Sequence, residues 1–423
     1  MTTPALRTRL AQGPAVAGPL LSGPLPAWAA LYVNVLTFVG TGLLVLIPQS
    51  VGQLIAQGML LVALVLALLA NPGMVVRPNI YLTLLSAMAV LALMASIHNE
   101  FIVGSTYRAV RLILFVGVLW LLTPWWGRPD MPLLRAHLLC QRVIIASVWL
   151  GVLLAPSAAF STSGRLAGVL WPMPPPQVAH YAAVLFGCTV ILWFCGVARG
   201  RGMALTLVGA GAAVVATHTR TALLGVVLGL IVAGASLFVG YARVRRTGAV
   251  VVLASVGAWI VFSPLIVSWL ARGQSEQDLT QLTGRTKVWS ALAQQQFTTM
   301  QQLFGTGLGN KSFNGLPIDS NWVATRFELG RVGVALVVAI LLVLLLSAVA
   351  RPAGPNRAIA LFIVVYCVTA SFTETGLGDA SPYLLDLAVA ASLLVSPPRF
   401  TGRRKIVGRH GPAAPDRATD RTT

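Results

Sequence analysis

The chain has 423 residues, of which 57% are hydrophobic and only 10% charged. A soluble globular protein carries roughly 25% charged residues, so this composition excludes a soluble enzyme or binding module and points to an integral membrane protein. The net charge of +19 would suggest nucleic acid in a soluble chain; here it reads as cationic loops on a cytoplasmic face, and no nucleic-acid partner is expected.

Residues 1–26 are predicted to be a cytoplasmic tail, rich in Pro and Gly and carrying Arg7 and Arg9. This tail lacks the compact apolar core of a cleaved signal, so the first apolar run is expected to act as a signal anchor. A crossing helix needs about 20 mostly apolar residues. Nine such spans are predicted within 27–271, at about 27–47, 52–71, 80–97, 107–124, 135–155, 178–197, 202–217, 221–241 and 248–270. Three more fall within 331–398, at about 331–350, 357–372 and 381–397. None alternates apolar and polar residues as the strands of a membrane barrel do. The predicted fold is therefore all-α and polytopic, with about 12 transmembrane helices and one large extracytoplasmic loop, 272–330, between spans 9 and 10. Residues 399–423 are predicted to be a basic, disordered cytoplasmic tail.

Placing the N-terminus inside puts Arg77, Arg128, Arg135, Arg199, Arg201, Arg243, Arg245, Arg246, Arg351 and Arg357 inside, with Arg399, Arg403, Arg404, Lys405 and Arg409 of the tail. This is the distribution that sets orientation in cell membranes, and an even number of spans returns the C-terminus to the same side. The four cysteines, Cys140, Cys188, Cys195 and Cys367, show no CxxC or Cys/His metal spacing. They read as small buried residues, and neither a cofactor nor a metal is expected.

Ionisable residues at membrane depth are costly and are functional candidates by default. Along the predicted outer face they form three clusters. His98-Asn99-Glu100 is followed by Tyr107, Arg108 and Arg111, whose arginines can pair with Glu100 to hold two helices together. The loop at 156–180 carries Arg165, His180 and Trp171-Pro172-Met173-Pro174-Pro175-Pro176-Gln177, a stiff connection that cannot be helical. The tight turn between spans 7 and 8 reads Thr217-His218-Thr219-Arg220-Thr221. An arginine there stands on the side where positive charge is disfavoured; with Arg285 and Lys287 of the large loop it indicates an outward anion site. His180 reads as an interfacial histidine, and Asp386 in the last span as a hydrogen bonder between helices.

Within the large loop, Thr283-Gly284-Arg285 opens a predicted helix running through Leu303, with Val288, Trp289, Leu292, Phe297 and Leu303 placed to lie on a membrane surface. Gly305-Thr306-Gly307-Leu308-Gly309 then offers backbone amides for an anion. No strand precedes it as a nucleotide-binding βαβ unit requires. Asp319-Ser320-Asn321-Trp322 leads to Glu328, Gly330 and Gly333 at the start of span 10.

Three of these segments, in this order and spacing, carry a resemblance to a known family. They are Gly164-Arg165-Leu166-Ala167-Gly168 with Pro172 and His180-Tyr181-Ala182-Ala183; Thr217-His218-Thr219-Arg220-Thr221-Ala222-Leu223-Leu224-Gly225; and Thr283-Gly284-Arg285 with Trp289 and Phe304-Gly305-Thr306-Gly307-Leu308-Gly309. Across about residues 160–385 the chain resembles the O-antigen ligase and O-antigen polymerase superfamily. The family's large loop commonly ends in His-Asn, then Glu-x-Gly-x-x-Gly. Here Glu328, Gly330 and Gly333 are kept, but Asp319 and Ser320 stand in place of His-Asn.

The resemblance implies glycosyl transfer on the outer face of a bacterial inner membrane. The donor would be a polyprenyl-diphosphate-linked oligosaccharide, the acceptor a glycan or lipid, and the product a polymerised cell-surface polysaccharide. Membrane lipids and a chain-length regulator are the further candidate partners. A departing diphosphate needs fixed positive charge as its own charge develops, and the arginine fork suits phosphate oxygens. Arg220 and Arg285 come first for that role, then Arg165 and Lys287. The acceptor hydroxyl must lose a proton to a nearby base, for which Asp319 is placed first, then Glu328 or His218. No Asp-x-Asp occurs, which argues against a metal-dependent nucleotide-sugar transferase. The missing histidine favours a polymerase over a ligase that passes a finished glycan to a lipid or cell-wall acceptor. Two other classes stay open: a flippase or transporter, which would want polar residues at mid-membrane and a half-length repeat, and a scaffold, which would not need outward arginines.

Overall fold

With no water in a bilayer core, each backbone amide must be satisfied within its own segment, and these Leu-, Ala- and Val-rich runs satisfy theirs as helices. The computed structural model describes residues 23–38, 48–99, 101–160, 164–271, 285–309, 311–313 and 316–396. The helices are α1 (Leu25–Val35), α2 (Gln49–Ala70), α3 (Ile80–Ile97), α4 (Ile102–Leu121), α5 (Pro132–Leu154), α6 (Pro175–Phe194), α7 (Arg201–Ala216), α8 (Arg220–Leu237) and α9 (Ala242–Ala271). After them come α10 (Arg285–Gln294), α11 (Thr299–Phe304), α12 (Asn321–Ala350), α13 (Pro355–Ser371) and α14 (Pro382–Leu394). Seven of them, α2 to α6, α8 and α12, are long and apolar enough to cross a membrane. The protein is an all-α polytopic membrane protein. A two-residue ribbon pairs Ser312 with Pro317 and Phe313 with Leu316 in antiparallel register.

Local sequence sets the helix starts. Proline occupies the first turn of α5, α6, α13 and α14, where its missing N–H is not needed; the end of the connection expected to be non-helical, Pro175-Pro176-Gln177, is thus the first turn of α6. Asn79 caps α3 by accepting from the amides of Tyr81 and Leu82, and Ser381 caps α14 by accepting from Leu384. Glycines set the packing, as small residues do between helices in lipid. A Cβ at Gly225 of α8 would fall 2.7 Å from the Tyr366 ring, and one at Gly229 2.7 Å from the Phe362 ring. Gly187 of α6 meets the same Phe362. The middle of α13 is therefore enclosed, with Ala358 to Val364 all buried.

Loops gather at two ends. At one end Arg77 donates to the Trp126 carbonyl, Gly127 to Ser392, Arg351 to Leu394 and Asn356 to Leu393. At the other end lie the end of α3, residues 164–168, the 217–219 turn, the 305–309 turn and residues 372–381 between α13 and α14, joined by the bonds described below.

Three expectations are corrected. The first apolar run is not one long helix: α1 stops at Val35 because Leu36 turns extended, at ψ 123°. Residues 39–47 of that predicted span lie outside the described residues. The helix predicted through Leu303 is two helices. The Thr298 hydroxyl accepts from the Gln301 amide, while the Gln301 side chain accepts from the Thr298 amide, so the chain restarts at a capping box. Finally, Val288 and Leu292 do not lie on a membrane surface. They pack with Ile318 and Ala324 in a small separate core, flanked by Trp289, Phe297, Phe313, Val323 and Phe327.

Candidate functional site

The sequence places Arg165 and the 217–221 turn more than fifty residues apart, and the fold joins them. Arg165 donates through Nε to the Thr217 carbonyl at 2.9 Å and through Nη2 to the Thr219 hydroxyl at 3.1 Å. Leu166 donates its amide to Ala216 at 3.0 Å. Burial lowers the Arg165 guanidinium from its ordinary value, and the Glu374 carboxylate works against that shift. The turn it holds is strained, with His218 in the left-handed region at φ 49° and its ring stacked 5.1 Å from Trp269 at the end of α9. Arg220 is half-buried on the first turn of α8. A cation at that terminus opposes the helix dipole, so the arrangement favours an anion beside it. One residue on, Thr221 meets the Thr373 hydroxyl at 2.7 Å.

That last contact leads to a segment the sequence reading passed over, residues 372–381. Asn321, the first residue of α12, accepts from the Gly376 and Leu377 amides at 3.3 and 2.8 Å. Asp379 lies 3.7 Å from Lys311 of the large loop. The Ala380 carbonyl accepts from Arg111, which also donates to the Asn34 carbonyl. Arg111 thus serves two backbone carbonyls; Glu100, its predicted partner, lies outside the described residues. The segment ties the arginine turn to the large loop and to α1. One signal marked it: Glu374 and Asp379 are two of only 11 acidic residues in the chain.

The glycine-rich turn of the large loop is engaged in packing. The amide of Gly305 donates to Gln301, Thr306 to Phe327, Gly307 to Glu328, Leu308 to the Ser96 hydroxyl and Gly309 to Glu328 Oε1. No amide from 305 to 309 remains to cradle an anion, so that expectation is corrected. The turn seats against a break in α12, where Gly330 leaves helical geometry at φ 66°. A Cβ on Gly305 would fall 2.2 Å from the Glu328 carbonyl oxygen, and one on Gly330 2.3 Å from that of Leu303. Glu328 is buried at this junction, 2% exposed, with Oε1 held 2.9 Å from the Gly309 amide. Asp319 is half-buried just before Ser320, at the N-terminus of α12. Arg285 and Lys287 begin α10, and their side chains lie outside the described residues.

A second cluster was only half visible in the sequence. Asp386 of α14 lies between two histidines: Oδ1 is 2.9 Å from His137 Nε2 of α5, and Oδ2 is 3.0 Å from His180 Nε2 of α6. With the carboxylate as acceptor, the Tyr32 hydroxyl of α1 donates to His137 Nδ1 at 2.9 Å. Gln141 lies 3.0 Å from the same ring, and Tyr383 packs 4.3 Å from His180. His137 and Asp386 are 0% and 1% exposed. His180 is thus buried inside the bundle rather than interfacial, and Asp386 joins helices as expected, with two histidines as its partners. The missed residue, His137, carried a signal, as an ionisable side chain one turn before Gln141 in an apolar run. Among the described residues, no group of three or more His, Cys, Asp or Glu is placed to hold a metal.

Together, these features define a helical membrane protein with a polar site at one end of its bundle. No protein-family model and no curated protein matches the chain.

Proposed function

We propose that the protein is a glycosyltransferase of the O-antigen polymerase type. It would act on the outer face of a bacterial inner membrane, with about twelve spans crossing the bilayer, the shorter apolar helices α1, α7, α13 and α14 counted beside the seven long ones, and both termini inside. The observation that carries this reading is the convergence of Arg165, the 217–221 turn and Thr373-Glu374, brought from three parts of the chain to one end of the bundle. Two of these segments also carry the family resemblance.

In this reading Arg220 and Arg285 receive the diphosphate of a polyprenyl-linked donor, and Arg165 holds the turn that presents Arg220. The acceptor hydroxyl oxygen attacks the anomeric carbon as the bond from that carbon to the diphosphate oxygen breaks. The hydroxyl proton passes to a carboxylate, and polyprenyl diphosphate leaves as an anion met by fixed positive charge. Asp319, half-buried before α12, is the first choice of base, since Glu328 is only 2% exposed. His218 is stacked on Trp269 and is the third choice.

The His137–Asp386–His180 cluster favours a second reading, a flippase or transporter of the same lipid-linked oligosaccharide, because buried ionisable groups in membrane helices mark ion and substrate pathways. The test is turnover of a polyprenyl-diphosphate-linked oligosaccharide by the protein in nanodiscs, beside Arg220→Ala and Arg285→Ala. Chain lengthening by the wild type, lost in both folded variants, supports the polymerase; transfer to a second acceptor without lengthening points to a ligase. If the wild type releases no free polyprenyl diphosphate yet moves the lipid between leaflets in liposomes, the transporter reading replaces both.

A further inference from the structure

Residues of α10, α11 and the first turns of α12 line a half-open cavity of about 470 Å³, within the 300–1,000 Å³ range of small-molecule pockets. Aromatic rings dominate its wall: Trp289, Phe297, Trp322 and Phe327. The indole Nε1 atoms of Trp289 and Trp322 are both buried without a hydrogen-bond partner among the described residues. Arg326, Gln295, Gln301 and Gln302 are among the polar residues of the lining. Residues 322, 323, 326 and 327 face this cavity, whereas Asn321 and Glu328 of the same helix bond to residues 376–377 and to Gly309. One short helical segment therefore separates the cavity from the polar site.

We propose that this cavity is a saccharide-binding subsite. The chemistry of the lining selects the ligand class. A pyranose ring presents an apolar face of C–H groups and a rim of hydroxyls; flat aromatic side chains match the face, and their polar tips match the rim. An acyl or polyprenyl chain would fill the space but leave the two buried indole N–H groups unanswered, and unanswered buried donors are costly. A phosphate group would want a cluster of cations, and Arg326 is the one cationic side chain of the lining among the described residues. The assignment rests on the glycosyl-transfer reading for its biological role: the subsite holds sugar residues of the acceptor or growing chain while the arginine turn holds the donor's diphosphate.

The test is binding, measured apart from catalysis. Full-length protein in nanodiscs is titrated with oligosaccharide released by mild acid from the producing cell's lipid-linked glycans, so that the probe carries no lipid or diphosphate. Binding is read by saturation-transfer NMR. The wild type is expected to bind with a millimolar or tighter Kd. Trp289→Ala weakens binding at least about tenfold, and Trp322→Phe, which keeps a ring but removes the N–H, weakens it by a smaller factor. Arg220→Ala leaves it unchanged. If Trp289→Ala fails to fold, Trp322→Phe and Arg326→Gln decide. Absence of binding to the wild type, equal binding by the pocket variants, or displacement by polyprenyl phosphate would each overturn the subsite. Turnover without oligosaccharide binding removes the subsite and leaves the transferase; oligosaccharide binding without turnover does the reverse.

Discussion

Arg165 and Arg220 have similar places in the sequence argument but different surroundings in the fold. Arg165 uses Nε and Nη2 on the 217–219 turn, a forked geometry that lysine cannot reproduce. Losing one charge-assisted bond of about 1.5–3 kcal/mol should loosen the turn. If the proposed glycosyl transfer holds, Arg165→Lys is expected to lower its rate about tenfold or more, measured as lipid-linked chain growth. On the same proposal Arg220→Ala would remove positive charge from the departing diphosphate, and kcat should fall by about 10²–10³ while thermal stability stays near wild type. The glycines allow a paired test. Gly164 at φ 68° has nothing within 4 Å of a Cβ, so Gly164→Ala should cost only the ~1–2 kcal/mol of left-handed backbone. Gly305 at φ 81° would place the Cβ 2.2 Å from the Glu328 carbonyl oxygen, so Gly305→Ala should lower the melting temperature in detergent markedly more. Equal melting temperatures for the two would contradict the packing role of the glycine-rich turn. At this scale the sequence exposed Arg165 and Arg220, because a cation on a predicted outer face is anomalous. It hid Glu374 and Asp379, because acids in a polar loop look ordinary until the loop is seen to bridge helices.

Helices were the most legible elements, since membrane depth and backbone satisfaction leave an apolar run little choice. Predicted spans 80–97 and 202–217 lie within a residue of α3 and α7 at each end. The failures share a cause: hydropathy has no term for local hydrogen bonding. It did not see the extended backbone at Leu36 that ends α1, nor the Thr298 capping box that splits the loop helix. It also did not see that three helices meet at one carboxylate. Asp386 links α5, α6 and α14 through two histidines, and removing one partner of a buried charged pair typically costs about 3–5 kcal/mol. Asp386→Ala is therefore expected to lower the unfolding temperature in nanodiscs strongly. His180→Gln should lower it less, since the contact to His137 remains. A silent Asp386→Ala would mean that the cluster does not hold these helices.

For the whole molecule, charge separates the two ends of the bundle. Arg77, Arg128, Arg243 and Arg351 anchor to backbone carbonyls at or near the loops of one end. At the other end the cations are matched differently: Arg111 and Arg165 serve carbonyls of the polar site, Lys311 faces Asp379, and Arg331 reaches Gln302. The acids Asp319, Glu328, Glu374 and Asp379 share that second end. Short loops rich in Arg stay cytoplasmic, whereas acidic residues contribute little to orientation, so the proposed orientation puts the first end inside and the polar site outside. Single cysteines in a background lacking Cys140, Cys188, Cys195 and Cys367 test this directly. Thr299→Cys, exposed at the start of α11, should react with a membrane-impermeant maleimide in intact spheroplasts. Gly73→Cys, exposed between α2 and α3, should react only after the membrane is opened. The reverse pattern would place the arginine turn in the cytoplasm, away from any outer-face donor, and the glycosyl-transfer reading would fall with the orientation.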